Sequence, residues 1–370
     1  MGKVSAQADS VTMSGGGVYS LATKGAKDVI DAATPMVVDA INAIPAESFE
    51  QGFTFSDMGC ADGGTSLSMV EAAINAVRAR RPDTPVSVVY TDQPRNDFNA
   101  LVTNVHGLGP FDSYLGRHEN VFPLESGTSF YRQILPDNSL TLGFSATAMH
   151  WLSSKPCDIN NHVHMVGASG DELDAFRAQA KKDWQQILLC RARELKAGGR
   201  LVLINFGIDE QGRYLGNTVG VNMFNTFHEI WQEMMTAGRI SEAEYAAMTL
   251  PQYYNTVEEF SAPLLNENDP VHQAGLRLES IETRVVPCPF AEDFKQHRDA
   301  EKFATDYIPT IRTWNESTYF AGLSSERPLE ERKRVIEDFY GAYRMRVVAD
   351  PDQHGMGYVH AYTVISKCRE

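Results

Sequence analysis

The stretch Asp57-Met58-Gly59-Cys60-Ala61-Asp62-Gly63-Gly64 sets acids among glycines between an apolar run and an amphipathic one. Glycine lets the backbone turn sharply and approach a ligand closely, and a helix start offers unpaired N–H groups. An acid at a strand end can accept hydrogen bonds from ribose hydroxyls or an amino group. These features predict a cofactor site at Asp57, Gly59 and Asp62, against the plainer reading of a tight strand-to-helix turn. The glycine spacing is not GxGxxG, and no Lys followed by Ser or Thr stands in Walker spacing, so dinucleotide and phosphate-cradling loops are the weaker choices. Asp92 and Gln93 follow a second apolar run. A carboxylate there could receive both hydroxyls of an adenosyl ribose, or could simply cap the turn Asp92-Gln93-Pro94, while Asp57 could meet the charged amino-acid end of a cofactor.

Two further segments carry polar groups beside rings. In Gly127-Thr128-Ser129-Phe130-Tyr131, Ser129 could contact adenine and Phe130 could cover a ring face. In the run from Ser145 and Ala146 to His150-Trp151-Leu152-Ser153, Trp151 could donate its indole N–H while its ring walls a pocket. His150 is a site candidate or a packing residue. His162 and His164 alternate, but no third ligand can be placed, so no metal is expected.

The elements that must position these groups alternate. Apolar runs at Phe53–Met58, Val86–Tyr90, Ser139–Ser145 and Arg200–Phe206 read as strands, the last introduced by Ala197-Gly198-Gly199. Helical periodicity covers Lys24–Ile44, Ser66–Arg80 and Asp171–Leu195. Phe176, Ala180, Trp184, Ile187 and Leu188 mark the buried side of the last of these. Alternation of this kind predicts an α/β fold with a mostly parallel sheet. A strand at Leu276–Val286, a helix near 328–348 and a strand at Tyr358–Ile365 continue it. The aromatic text between them reads as insertions. The expected organisation is an N-terminal arm and core over 1–207, a helical cap over 208–265, a core strand region over 266–288, a second cap over 289–327 and a core helix and strand over 328–370.

Composition narrows the function. The chain has 370 residues, 43% hydrophobic and 22% charged, with a net charge of -15, which excludes a disordered tail and makes nucleic acid and anionic membranes poor partners. Five widely separated cysteines and an N-terminus without an apolar core point to reduced thiols and a cytoplasmic location.

Together, Met13–Thr23, Asp57–Gly63, Asp92-Gln93-Pro94-Arg95-Asn96-Asp97-Phe98-Asn99, Gly127–Tyr131 and His150–Ser153 make the chain resemble, over nearly its full length, a plant-type family. Its members are the carboxyl methyltransferases acting on salicylate, benzoate and jasmonate, together with the caffeine-pathway N-methyltransferases. The resemblance implies a Rossmann-like class I methyltransferase core with a seven-stranded sheet and a helical cap. It also implies S-adenosyl-L-methionine as cofactor and a homodimer acting on a small-molecule carboxylic acid. By the same resemblance Tyr19, Thr23, Asp57, Asp92, Ser129 and Phe130 fall at donor-binding positions, Thr65 stands where the family has an asparagine, and Trp151 matches the donor to the substrate carboxylate.

One departure stands out. In the register set by Tyr19, the glutamine that accompanies the tryptophan in the family is Ala26 here. Lys24 or Lys27 could replace it, or both could be solvated surface residues. Trp231, Tyr254, Tyr307 and Trp314 could shape an apolar acceptor pocket or pack as core. The expected reaction is O-methylation of a small aromatic or apolar acid. The alternatives are methylation of a ring nitrogen on the same fold and, from another class, a nicotinamide-dependent oxidoreductase.

Overall fold

The run FTFSDM has no polar face to offer water, and in the computed structural model it forms β1 (Phe53–Met58), buried at every position but one. β2 (Val86–Thr91) repeats that pattern, and β4 (Leu140–Ala146) is buried up to its last residue. Strands apolar on both faces belong inside a parallel sheet covered on both sides. β1 pairs in parallel with β2 and β4, β2 with β3 (Val121–Ser126), and β4 with β5 (Leu195–Ile208). β8 (Tyr358–Lys367) runs antiparallel between β5 and β7 (Leu276–Val286), giving the order β3-β2-β1-β4-β5-β8-β7. A two-residue β6 (Asn255–Thr256) joins the end of β5. Gly16, Gly17 and residues 19–369 are described, so most of the arm expected over 1–18, including part of Met13–Thr23, lies outside the described residues.

Two strands differ from the sequence reading. β3 was not anticipated: its side chains are half-buried or exposed, Phe122 and Leu124 face outward, and Pro123 suits only an edge. β5 begins at Leu195, ahead of the glycines. Gly198 sits inside it at φ +73, beside a register shift against β4, so the glycine pair marks an irregularity within the strand and does not introduce it.

The helices Lys24–Ala43 and Leu67–Arg80 pack on each other. The helix Gly170–Glu194 buries Phe176, Ala180, Trp184, Ile187 and Leu188, and its last three join Leu140, Leu201 and Leu203 of the sheet. The helices Met223–Thr236, Ala300–Gly322 and Leu329–Ala349 pack together, with Trp231 stacked on Phe339 at 4.4 Å between ring centres. No described helix is long and apolar enough to cross a membrane.

Candidate active site

The turn after β1 has room for a backbone only. Gly59 adopts φ +81, and a Cβ there would lie 2.4 Å from the Ala148 Cβ. Phe130 is buried on the same side, where that Cβ would meet its ring at 3.7 Å. Ala61 is also left-handed, and its N–H donates to Asp92 Oδ2 at 2.8 Å, while the Gln93 N–H donates to Oδ1 at 2.7 Å. Asp92 therefore fastens the glycine turn to the end of β2.

Asp57, next to the last residue of β1, has its carboxylate buried and accepts the Ser66 hydroxyl at 2.6 Å. Burial pushes it up to about 7; the Ser66 bond opposes the rise and Asp92 adds to it. The Asp92 carboxyl is likewise raised by burial, against its two amide hydrogen bonds. Asp62 accepts from the Ser20 amide at 3.1 Å, from the Ser20 hydroxyl and from the Gly64 amide at 3.3 Å, tying the helix Tyr19–Ala22 to the turn. The Tyr19 hydroxyl is held protonated, first by burial and then by Asp62 and Asp92. The glycine-turn acids and Tyr19 thus form one cluster.

Other expected residues have different occupations. Ser145 donates to the Met58 carbonyl at 2.7 Å, bracing β4 against β1, and Ala146 is half-buried at the strand's end. Ser129 is half-buried in a turn closed by the Arg132 N–H on its carbonyl at 2.9 Å. Thr65 is buried, but Ser66 is the hydroxyl that reaches Asp57. Gln93 carries a buried Oε1 with no hydrogen-bond partner among the described residues.

Beside this cluster lies a cavity enclosing about 400 Å³, part of it open to solvent. Tyr19, Thr23 and Ala26 form one wall, and His150 and Trp151 another. Thr310 and Trp314 contribute from the cap. Thr23 donates its hydroxyl to the Tyr19 carbonyl at 2.7 Å and stands just before the helix Lys24–Ala43 without a side-chain capping bond, and Ala26 in the first turn of that helix lines the space. Among the described residues no lysine or arginine lines the cavity. Lys24 pairs with Asp293 at 3.7 Å and Lys27 with Asp31 at 2.6 Å, both on the surface. His150 is pushed down to about 3 by burial and is a neutral ring packed at 4.8 Å on Phe206. Of the four cap aromatics only Trp314 reaches the cavity; Trp231, Tyr254 and Tyr307 are fully buried in ring clusters. His162 bonds the His164 carbonyl and the Asn225 side chain, and His164 stacks on Phe224 at 3.9 Å.

The sequence reading missed Ser66, Gln252 and Thr147. Ser66 had a local signal, since it precedes the helix Leu67–Arg80 at its cap position. Thr147 lines the cavity at φ 59, a conformation a β-branched residue adopts only under strain. Its hydroxyl also meets the buried His360 Nε2 at 3.3 Å, so replacing it by glycine relieves strain but orphans that ring nitrogen, and the net change in stability should stay within about 1 kcal/mol. A urea titration of Thr147→Gly with a midpoint shift equivalent to more than about 2 kcal/mol would refute this balance.

Parallel β1–β5, the antiparallel β8 between β5 and β7, and the glycine turn facing an acid at the end of β2 define a class I S-adenosylmethionine-dependent methyltransferase fold. Residues 8–316 match the family model described as SAM dependent carboxyl methyltransferase, and the chain belongs to that family. It is 27% identical over 257 residues to gibberellic acid methyltransferase 1 of Arabidopsis thaliana, covering 62% of this chain and 66% of the relative. It is 26% identical over 253 residues to loganic acid O-methyltransferase of Catharanthus roseus, covering 63% and 65%. The chain thus spans slightly under two thirds of these relatives' length. A solved loganic acid methyltransferase with SAH shares the fold at a TM-score of 0.75 and 22% identity, covering 96% of this chain and 99% of that one. The cofactor is S-adenosylmethionine, and the residues present fit it: a cradle at Gly59 that a Cβ would fill, buried acids for a cationic donor, and the orphaned Gln93 Oε1.

Proposed function

We propose that this protein methylates the carboxylate of a small, aromatic or apolar acid, giving its methyl ester and S-adenosylhomocysteine. The carrying observation is the cavity itself: partly open to solvent, walled by rings, free of cationic side chains among the described residues and contiguous with the glycine-turn cluster through Tyr19. When bound, S-adenosylmethionine supplies an electrophilic methyl group on a sulfonium. An acid with a pKa near 4 is already ionised at neutral pH, so its oxygen would need no protein base to accept that methyl group, and the C–S bonding electrons would stay on sulfur.

The protein's share of the work is then orientation and exclusion of water. Trp151 donates its indole N–H to the acceptor oxygen, and the neutral His150 serves as cavity wall. Asp57, Asp92 and Tyr19 would hold the donor, and Phe130 would cover its adenine. Ala26 widens the cavity where a longer side chain would fill it.

An acceptor screen with labelled methyl donor tests this reading across aromatic, indole and terpenoid acids and ring-nitrogen heterocycles. Transfer to acids supports it, and transfer to no acid overturns it. Trp151→Phe keeps a ring and removes one donor to a charged group. It should raise the KM for the acid by about 10- to 100-fold, while the Kd for S-adenosylhomocysteine changes by less than about twofold. Equal loss of both would contradict the role given to Trp151.

A further inference from the structure

The acceptor cavity has no cation among its described lining residues, and Trp151, the indole assigned to the acceptor, offers a single donor, yet a carboxylate has two oxygens to satisfy. Burying an anion without compensating hydrogen bonds is costly, so a second neutral donor beside Trp151 is required if an acid is to bind there. Ala26, which also lines the cavity, cannot provide one.

The chain places such a donor directly beside the indole. Segment 150–152 runs antiparallel to segment 251–253: the Leu152 N–H donates to the Pro251 carbonyl at 2.8 Å, and the Tyr253 N–H to the His150 carbonyl at 2.9 Å. These two bonds flank an isolated bridge that pairs Trp151 with Gln252. In that pattern the two residues form a non-hydrogen-bonded antiparallel pair. Their side chains emerge on one face at the closer of the two cross-strand spacings, and both line the cavity.

The amide's orientation follows from its neighbours. The Tyr254 hydroxyl donates to Gln252 Oε1 at 3.3 Å. His164 lies against the same amide. Its Nδ1 accepts from the Val166 N–H at 3.4 Å, which leaves the proton of the neutral ring on Nε2. Burial, then repulsion from His162 and His150, holds that ring neutral, and hydrogen bonding with the Gln252 amide opposes the fall. His164 Nε2 has no hydrogen-bond partner among the described residues. Both neighbours present donors, so Oε1 faces them. Gln252 Nε2 is left as the free end, and no hydrogen bond from it is formed among the described residues.

We propose that Gln252 Nε2 and Trp151 Nε1 together form a two-point clamp for the acceptor carboxylate, with Gln252 setting the preference for a planar, monoanionic acid. The proposal rests on the carboxyl methylation put forward above. Neutral donors also explain how an acidic chain can accept an anion without a basic funnel: two short-range hydrogen bonds replace a long-range field.

The test begins with wild-type enzyme and the acid found in the acceptor screen. Gln252→Leu keeps volume and removes the amide, and should raise the KM for that acid by about 10- to 100-fold with the Kd for S-adenosylhomocysteine unchanged. Gln252→Glu keeps shape but places an acceptor and, once ionised, a like charge against the substrate, and should impair acid use further. The second readout is competitive inhibition by the acid's own aldehyde, a neutral analogue. Gln252→Leu should weaken the wild-type preference for carboxylate over aldehyde, which general loosening of the pocket would not do. An unchanged acid KM in Gln252→Leu, or an unchanged carboxylate preference, overturns the clamp while leaving carboxyl methylation standing. Wild-type transfer to ring nitrogens and to no acid overturns both. Should Gln252→Leu melt early, Gln252→Glu and the aldehyde comparison decide.

Discussion

Replacing Arg191 by methionine should cost about 3–5 kcal/mol of folding stability and weaken donor binding with it. Arg191 and Glu194 are both fully buried, one turn apart on the helix Gly170–Glu194, with the guanidinium nitrogens Nε and Nη2 at 2.7 and 2.6 Å from the carboxylate. Neither charge has spare capacity. Arg191 also donates to the Phe130 carbonyl at 2.9 Å and the Arg132 carbonyl at 2.7 Å, while Glu194 accepts the Ile134 amide at 2.6 Å. The pair therefore holds the loop that carries Ser129 and Phe130. Methionine matches the arginine stem but leaves an uncompensated carboxylate in the interior and frees two carbonyls. Urea unfolding and calorimetric titration with S-adenosylhomocysteine would measure both effects. The double variant Arg191→Met, Glu194→Leu should be more stable than Arg191→Met alone, because it removes the unpaired charge along with its partner. Arg193→Met is the control: Arg193 pairs with Asp137 at 3.3 Å on the surface, where such pairs contribute little. Equal midpoints for Arg191→Met and Arg193→Met would show that the buried pair does not anchor the loop.

That anchoring pair illustrates where sequence reasoning stops. β1, β2 and β4 were legible because fully buried strands must be continuously apolar, and the glycine turn was legible because its chemistry is local. β3 was hidden because an edge strand can be half polar and hold Pro123. Arg191 and Glu194 read as ordinary helix charges, since nothing in their neighbours announces that the 130–135 loop will close over them. Gln252 is the extreme case. Its side chain matters only because backbone pairing sets it against Trp151, and that pairing joins two irregular segments with no strand pattern in either. Ala26 was visible as a missing group. What faces it could be known only once the chain was folded.

The affinity for the donor should rise about tenfold per pH unit on going from acid toward pH 7, and flatten above it. In the donor-free protein, burial holds Asp57 at about 7, far above its ordinary 3.8, so at pH 5 the Asp57 carboxyl is neutral. S-adenosylmethionine carries a sulfonium and an ammonium group, and a cation is best held by the ionised carboxylate. Binding below pH 7 must therefore release a proton. The same shift has the opposite sign for stability. A carboxyl whose folded value is raised contributes stability that is fully present below 3.8 and is lost as the pH climbs through about 7. Asp92 is raised by burial as well and acts in the same direction. For Asp57 alone the loss is at most about 4 kcal/mol. Removing the donor should thus matter most at alkaline pH, where the empty site holds a buried charge and the filled site has neutralised it. Asp57→Asn separates these effects from the titration of other groups. It should abolish most of the pH slope in donor affinity, bind the donor weakly at pH 8, and be more stable than wild type there without ligand. Calorimetric titrations from pH 5 to 8, paired with thermal melts of both proteins, would read each sign independently. A wild-type affinity that is flat across that range would show that Asp57 is already ionised in the empty site. In that case the Ser66 hydroxyl bond, and not the donor, compensates the buried carboxylate.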